Sequence, residues 1–244
     1  MESPLNPVSP ALRDEAADLD RVLAPLSADD RLRMAYARFG EGLIATTSFG
    51  HDAGLLLHHL HRLKIPVRVF FIDTSFHFPE TLHYRDALTA AWGLRVHTVS
   101  SDDPGRRRYA VEKDGQLRIS DIDACCGINK VEVQRRFLAI PDVRAFVSGL
   151  RRDQSPHRVH TPFAQVQRGR IKIAPFADWP QEDVDLYLRL REVPEHPLAA
   201  QGYASIGCSP LTCTRKPAPG EDNREGRWAN SPKTECGLHL DFGP

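Results

Sequence analysis

The chain has 244 residues, 41% of them hydrophobic, with 32 Lys/Arg against 32 Asp/Glu, 11 His and five cysteines. At roughly 150 residues per domain, this is one large domain or one domain with a long tail. A balanced charge argues against coating nucleic acid or a polybasic membrane surface, and no apolar run approaches the ~18 residues of a membrane span. Residues 1–20 are Pro-rich and acidic and lack the basic and apolar regions of a signal peptide, and residues 1–12 are expected to form a disordered lead to a cytoplasmic protein.

Helical spacing (Leu19, Val22, Leu23, Leu26) begins near Asp14, and Ser27 is placed to cap a second helix through Phe39. Leu43 to Thr47 predicts a buried strand, Asp52 to Leu63 a helix, and Val67 to Ile72 a second strand. Pro79 to Trp92 predicts a helix and Arg95 to Val99 a third strand. After an irregular 100–124, Cys125 to Leu138 is expected to be helical and Val143 to Ser148 a strand. Ile171 to Ile173 is a short strand and Gln181 to Arg191 a helix. The alternation implies an α/β fold with a doubly wound, mostly parallel sheet that binds ligands at its carboxyl edge. Residues 13–200 would form that domain, and 201–244, rich in Gly, Pro, Cys and charge, a tail leaving the sheet.

Three segments fall at strand ends. Thr47-Ser48-Phe49-Gly50 between a strand and a helix suits a phosphate cradle, although it lacks the Lys of a P-loop. Asp73-Thr74 ends the second strand, where a carboxylate could accept from ribose hydroxyls. Gly149-Leu150-Arg151-Arg152, with Arg158 after it, offers guanidinium forks for phosphate or sulfate. Residues 101–175 hold 15 Lys/Arg against 9 Asp/Glu, which suits a compact anionic ligand.

The cysteines form two pairs, Cys125-Cys126 and Cys208 with Cys213, and a single Cys236. Two pairs supply the four thiolates of an Fe–S cluster or a structural zinc, while Cys125 and Cys126 could equally be small core residues. Cys236, between Lys233 and His239 in a Gly-containing end, has the surroundings of a reactive thiol.

Taken together, Ser48-Phe49-Gly50, Asp73-Thr74, Phe78-Pro79-Glu80-Thr81, Ser148-Gly149-Leu150-Arg151-Arg152, Gly226-Arg227-Trp228 and Glu235-Cys236-Gly237-Leu238-His239 resemble the assimilatory adenylyl-sulfate reductases. That family also contains phosphoadenylyl-sulfate reductases, and the likeness runs from about residue 40 to the end. The resemblance implies an adenine-nucleotide α-hydrolase-like (PP-loop) fold with adenylyl sulfate over Ser48, Phe49, Gly50, Asp73 and Thr74. Lys130, Gly149, Arg151, Arg152 and Arg224 would complete its binding site. It makes Cys236 the nucleophile, with Lys233, His239 and Arg227 as candidate cations, and thioredoxin or a similar dithiol as reductant. Cys125, Cys126, Cys208 and Cys213 would hold a [4Fe–4S] cluster, and by analogy the chain would assemble as a dimer or tetramer. Two features depart from the family pattern. Four residues rather than two separate Cys208 from Cys213, and Asn129-Lys130 stands where Arg-Lys is usual.

Three other readings remain. A reductase of the 3′-phosphorylated substrate would need an extra cationic pocket, which Arg106-Arg107-Arg108 could supply. An ATP-using PP-loop adenylyltransferase or tRNA-thiolating enzyme usually carries Ser-Gly-Gly-x-Asp-Ser, whereas this chain has Ser48-Phe49-Gly50-His51-Asp52-Ala53. A non-catalytic zinc module is the third.

Overall fold

The computed structural model describes residues 9–101, 121–209, 213–221, 224, 226–228 and 231–239. The first eight residues, Arg106-Arg107-Arg108, and three of the residues between Cys208 and Cys213 (210–212) lie outside the described set.

Helix α1 (Pro10–Leu23) opens at the Ser9-Pro10 pair: Ser9 Oγ accepts from the Leu12 N–H at 3.2 Å and Pro10 takes the first helical position. Residues 10–12 therefore belong to the helix, ahead of where the apolar spacing starts. Helix α2 (Ala28–Phe39) is capped by Ser27 as the sequence predicts. Their buried faces pack through Arg31, only 3% exposed. Its guanidinium donates to the Leu23, Ala24 and Pro175 carbonyls and to both carboxylate oxygens of Asp178, at 2.7 and 2.9 Å. One side chain thus satisfies the end of α1 and ties it to the segment around Pro175 and Asp178.

The sheet has six strands in the order β3-β2-β1-β4-β6-β5. Strands β1 (Leu43–Thr47), β2 (Arg68–Ile72), β3 (Arg95–Val99), β4 (Ala145–Ser148) and β6 (Arg170–Ile173) run parallel, and β5 (Ala164–Gln167) pairs antiparallel with β6. Strand alternation sends Leu43 and Ala45 to the larger core and Ile44 to a second one with Phe70, Phe137 and Phe146. The larger core lies under α1, α2, α3 (Ala53–Arg62), α4 (Pro79–Trp92) and the later helix Gln181–Leu190, while Phe137 and Leu138 of the helix Glu132–Leu138 pack in the second, so helices cover both faces. Each fully buried Leu or Ile there is worth on the order of 1.5–3 kcal/mol.

Two elements differ from expectation. The single helix expected over Cys125–Leu138 is α5 (Ile122–Cys126), a π turn (Gly127–Val131) and α6 (Glu132–Leu138). The wider turn carries Asn129 and Lys130 inward, and both are buried. Strand β5 is too short and too polar (Ala-Gln-Val-Gln) to signal itself. It exists because Arg168 and Gly169 both take positive φ, 48° and 70°, and fold it back on β6. After α7 (Gln181–Leu190) no described residue joins a strand of the sheet, and an isolated antiparallel bridge links Cys208 to His77 in the loop after β2. Among the described residues no helix is long and apolar enough to cross a membrane.

Candidate active site

A cavity of about 310 Å³ opens at the carboxyl ends of β1, β2 and β4. Thr46 pairs with Ser148 and Thr47 with Phe71, so the cavity lies where β1 meets strands reached by opposite crossovers. Ser48 and Gly50 line it, with Leu56, Ile72 and Phe137 as its apolar wall. Phe49 does not line it. At φ 47° its ring turns into the core, edge-on to Phe71 at 5.5 Å, and this leaves the turn backbone facing the cavity. A Cβ on Gly50 would sit 3.0 Å from the Ile206 carbonyl oxygen, so the missing side chain lets the tail lie against the turn.

Thr74 and Gly149 are in the wall, whereas Asp73 is not. Its Oδ1 accepts from the Ser75 N–H at 2.8 Å and stabilises a turn in which Ser75 has φ 62°. Arg151 and Arg152, expected at the anionic end of the substrate, are likewise engaged elsewhere. Arg151 is 1% exposed and donates to Asp52 at 2.8 Å and Asp153 at 3.1 Å. Burial would raise the Asp52 carboxyl, but His51 and Arg151 together hold it down to about 2. Arg152 donates to the Thr161 carbonyl at 2.8 Å and covers the Phe163 ring. Two adjacent arginines at a strand end point to opposite sides, and here both sides hold acceptors.

The cations that do line the cavity are Lys130, Arg158, Arg224 and Arg227. Arg227 is steadied by the Cys213 carbonyl at 2.8 Å and covers the Trp228 ring. A Cβ at Gly207 would collide with its guanidinium, so the missing side chain lets the Arg227 head lie against this turn. Lys130 comes from the π turn. Burial opposes its charge, but the sulfurs of Cys208, Cys126 and Cys236 outweigh this and raise its pKa.

Cys236 is half-buried and lines the same cavity. The residue before it, Glu235, is 5% exposed. It accepts from Arg158 Nε at 2.8 Å and Nη2 at 2.7 Å, from Ser155 Oγ at 3.2 Å, and pairs with Arg224 at 3.3 Å. Lys130 and Arg224 interact electrostatically with the Cys236 sulfur. Lys233 instead pairs with Asp123 and is absent from the wall. His239 lines the cavity, with Nδ1 3.3 Å from Lys172 Nζ. Burial and then Lys172 push it well below the usual imidazole range, so it is neutral and is not the cation for Cys236.

Cys125, Cys126, Cys208 and Cys213 are all more than nine-tenths buried. Three of them share an apolar nest with Phe76 and Trp228, and Cys126 interacts with Cys208 across it. Burial pushes the Cys125 thiol up to about 12 and the Cys126 thiol up to about 11. Cys208 goes down despite its burial, because Lys130 and a 3.3 Å contact with Thr74 Oγ1 favour the thiolate. The Trp228 indole N–H is buried in this nest without an acceptor. Among the described residues no three His, Cys, Asp or Glu side chains converge closely enough for a single metal ion.

The family model for the phosphoadenosine phosphosulfate reductase domain matches residues 42–214. The chain belongs to the phosphoadenosine phosphosulfate reductase family. Across 230 residues it is 40% identical to the adenosine 5'-phosphosulfate reductase of Mesorhizobium japonicum, covering 93% of this chain and 87% of that one. The crystal structure of a phosphoadenylyl-sulfate reductase from Candida auris superposes with a TM-score of 0.70. It is 30% identical and covers 82% of this chain and 97% of its own. An FMN adenylyltransferase from Candida glabrata, 16% identical with a TM-score of 0.57 over 92% of this chain and 76% of its own, shares the PP-loop fold.

Within this reductase family member, Glu235 and Lys172 enter the site without having been singled out from the sequence. Glu235 is hidden because a carboxylate beside a reactive thiol looks unhelpful until its two arginines are seen. The signal that could have found it is the excess of Arg around positions 151–158 and 224–227, which needs a buried counter-charge.

Proposed function

We propose that this protein reduces adenylyl sulfate to sulfite and AMP in sulfate assimilation. The observation that carries this reading is Cys236 in the wall of one cavity with the Ser48–Gly50 turn and the cations Lys130, Arg158, Arg224 and Arg227. The turn and the apolar wall suit the nucleoside, and the guanidinium groups suit the phosphate–sulfate anhydride. The Cys236 thiolate attacks the sulfate sulfur. An S–S bond forms, the S–O bond to phosphate breaks, and AMP departs with that electron pair, leaving Cys236–S–SO₃⁻. A dithiol such as thioredoxin attacks Cys236 Sγ, releases sulfite, and ends as its own disulfide once its second thiol frees Cys236. The arginines neutralise charge that shifts onto the leaving phosphate.

The buried set Cys125, Cys126, Cys208 and Cys213 fits a [4Fe–4S] group. Three of the thiols share one nest and Cys126 interacts with Cys208 beside it, Lys130 faces Cys208, and the orphaned Trp228 N–H could donate to sulfur. When bound, such a cluster supplies an anionic iron–sulfur group that cross-links the two cysteine pairs.

Protein purified without oxygen and mixed with adenylyl sulfate alone should gain the mass of one SO₃ on Cys236 and release AMP. Absence of the adduct would remove the reading. The same preparation should contain about four iron and four acid-labile sulfide per chain, and one zinc without iron would overturn the cluster. The Candida auris neighbour, a phosphoadenylyl-sulfate reductase by name, keeps the 3′-phosphorylated substrate as a second reading. We expect kcat/KM at least about tenfold higher for adenylyl sulfate, and the opposite preference would reverse the assignment.

A further inference from the structure

The segment that carries Cys236 is held by a hairpin tip that has no part in the cavity. Arg168 lies at the β5–β6 turn with φ 48°, and neither it nor Gln167 lines the wall. Its Nη2 donates to the Gly237 carbonyl at 2.7 Å and its Nη1 to the Leu238 carbonyl at 3.0 Å. Nη1 also donates to Gln134 Oε1 on α6, which sets the plane of the guanidinium. Gln167 Nε2 adds a second donor to the Leu238 carbonyl at 3.0 Å. Gly237 has φ 87°, a left-handed turn immediately after Cys236, and this turn delivers both carbonyls to one guanidinium fork.

We propose that Arg168 is a positioning residue for the reaction described above: it docks the Cys236 segment so that the thiol faces the sulfate sulfur. The inference rests on the reading of Cys236 as nucleophile. The described residues around this thiol, 231–239, belong to no helix or strand and have no hydrogen-bond ladder of their own. Their backbone groups must be paired from outside, or the thiol samples many positions. Glu235 is fixed from one side by Arg158, and the two carbonyls after Cys236 are fixed from the other by Arg168. Cys236 is therefore suspended between two arginines that belong to the folded domain. Arg168 does not line the cavity itself and meets it only through Gln134 and Leu238, which do, so its loss should fall on the rate of sulfur transfer more than on nucleotide affinity.

The test compares Arg168→Asn, Arg168→Lys and Gln134→Ala with the unaltered protein. Asn tolerates the left-handed backbone but cannot reach the tail, so the hairpin is retained while the dock is lost. Each protein is mixed with saturating adenylyl sulfate in a single turnover, and formation of Cys236–S–SO₃⁻ is followed by mass. Arg168→Asn should slow adduct formation about tenfold, the worth of losing a charge-assisted hydrogen-bond pair. Arg168→Lys should recover part of that loss and Gln134→Ala should show a smaller one. In the two Arg168 variants the Kd for AMP should stay within about twofold, and alkylation of Cys236 should quicken as its segment loosens. A merely structural role would instead lower thermal stability and AMP affinity together. Adduct formation in Arg168→Asn within twofold of the unaltered protein would overturn the dock, as would a parallel loss of AMP binding. If the unaltered protein itself forms no adduct, the functional reading fails and this inference with it. A normal adduct in the parent with an unchanged variant sinks the dock alone.

Discussion

Replacing Cys236 with serine should lower sulfite formation by at least about 10⁴-fold while leaving the Kd for AMP within about twofold. The hydroxyl ionises far less readily than a thiol and is the poorer nucleophile near neutral pH. A second reason is independent of the first. Even if the serine oxygen attacked sulfur, the product would be a sulfate ester with no S–S bond, and a dithiol has nothing to exchange with. Reduction would stop at that point. The Ser48–Gly50 turn and the wall arginines are untouched by the substitution, so nucleotide binding should persist. Steady-state sulfite assays and calorimetry with AMP check the two halves separately. Turnover above about a hundredth of the parent value would remove Cys236 from the mechanism.

Arg158→Ala should have the next largest effect, a fall in kcat/KM of about 10²–10³-fold. This arginine lines the cavity and also grips both carboxylate oxygens of Glu235. Its loss removes a cation from the substrate and leaves Glu235 buried against Arg224 at 3.3 Å and Ser155 at 3.2 Å alone. In contrast to Arg168→Asn, nucleotide affinity should fall as well as the rate of sulfur transfer. The pH dependence separates the two arginines further. Burial would raise the Glu235 carboxyl, but Arg158 and then Arg224 outweigh it and hold it below its usual 4.5. A depressed carboxylate contributes its stabilisation above the unfolded value and loses it as pH falls through the folded one. In the parent protein the Glu235 latch should therefore be constant at and above neutral pH and fail only below 4.5. In Arg158→Ala the acid limb of single-turnover adduct formation should move to higher pH. An unmoved limb would show that Arg158 does not hold Glu235 in solution.

Much of the scaffold is legible because its signals are local. Pro79 opens α4 and Gly93, in the left-handed conformation, closes it, so both ends agree with the sequence. The short apolar runs of β1 and β2 are buried on both faces, and continuous hydrophobicity marks such strands. Strand β5 gives no such signal. Its register depends on a turn with two positive φ values and on Asp20 of α1, whose carboxylate accepts from the Phe163 and Ala164 N–H groups at 2.7 and 3.2 Å. The π turn is equally silent, since Gly-Ile-Asn-Lys-Val differs little from an ordinary helical stretch.

The sequence by itself determined the kind of chemistry: five cysteines divided as two pairs and one, a Ser-Phe-Gly turn after a buried strand, and an excess of arginine near an anionic ligand. Only the tertiary structure decided which arginines meet that ligand. Arg151 and Arg152 are adjacent to the conspicuous strand end, yet each is taken up by acceptors distant in sequence or across a loop. Arg158, Arg224 and Arg227 reach the cavity from a loop and a tail. Residue type is a local property, and so chemical class can be read from the chain. The direction in which a long side chain points is set by whichever carboxylate or carbonyl the fold brings within reach, and that partner is not encoded nearby.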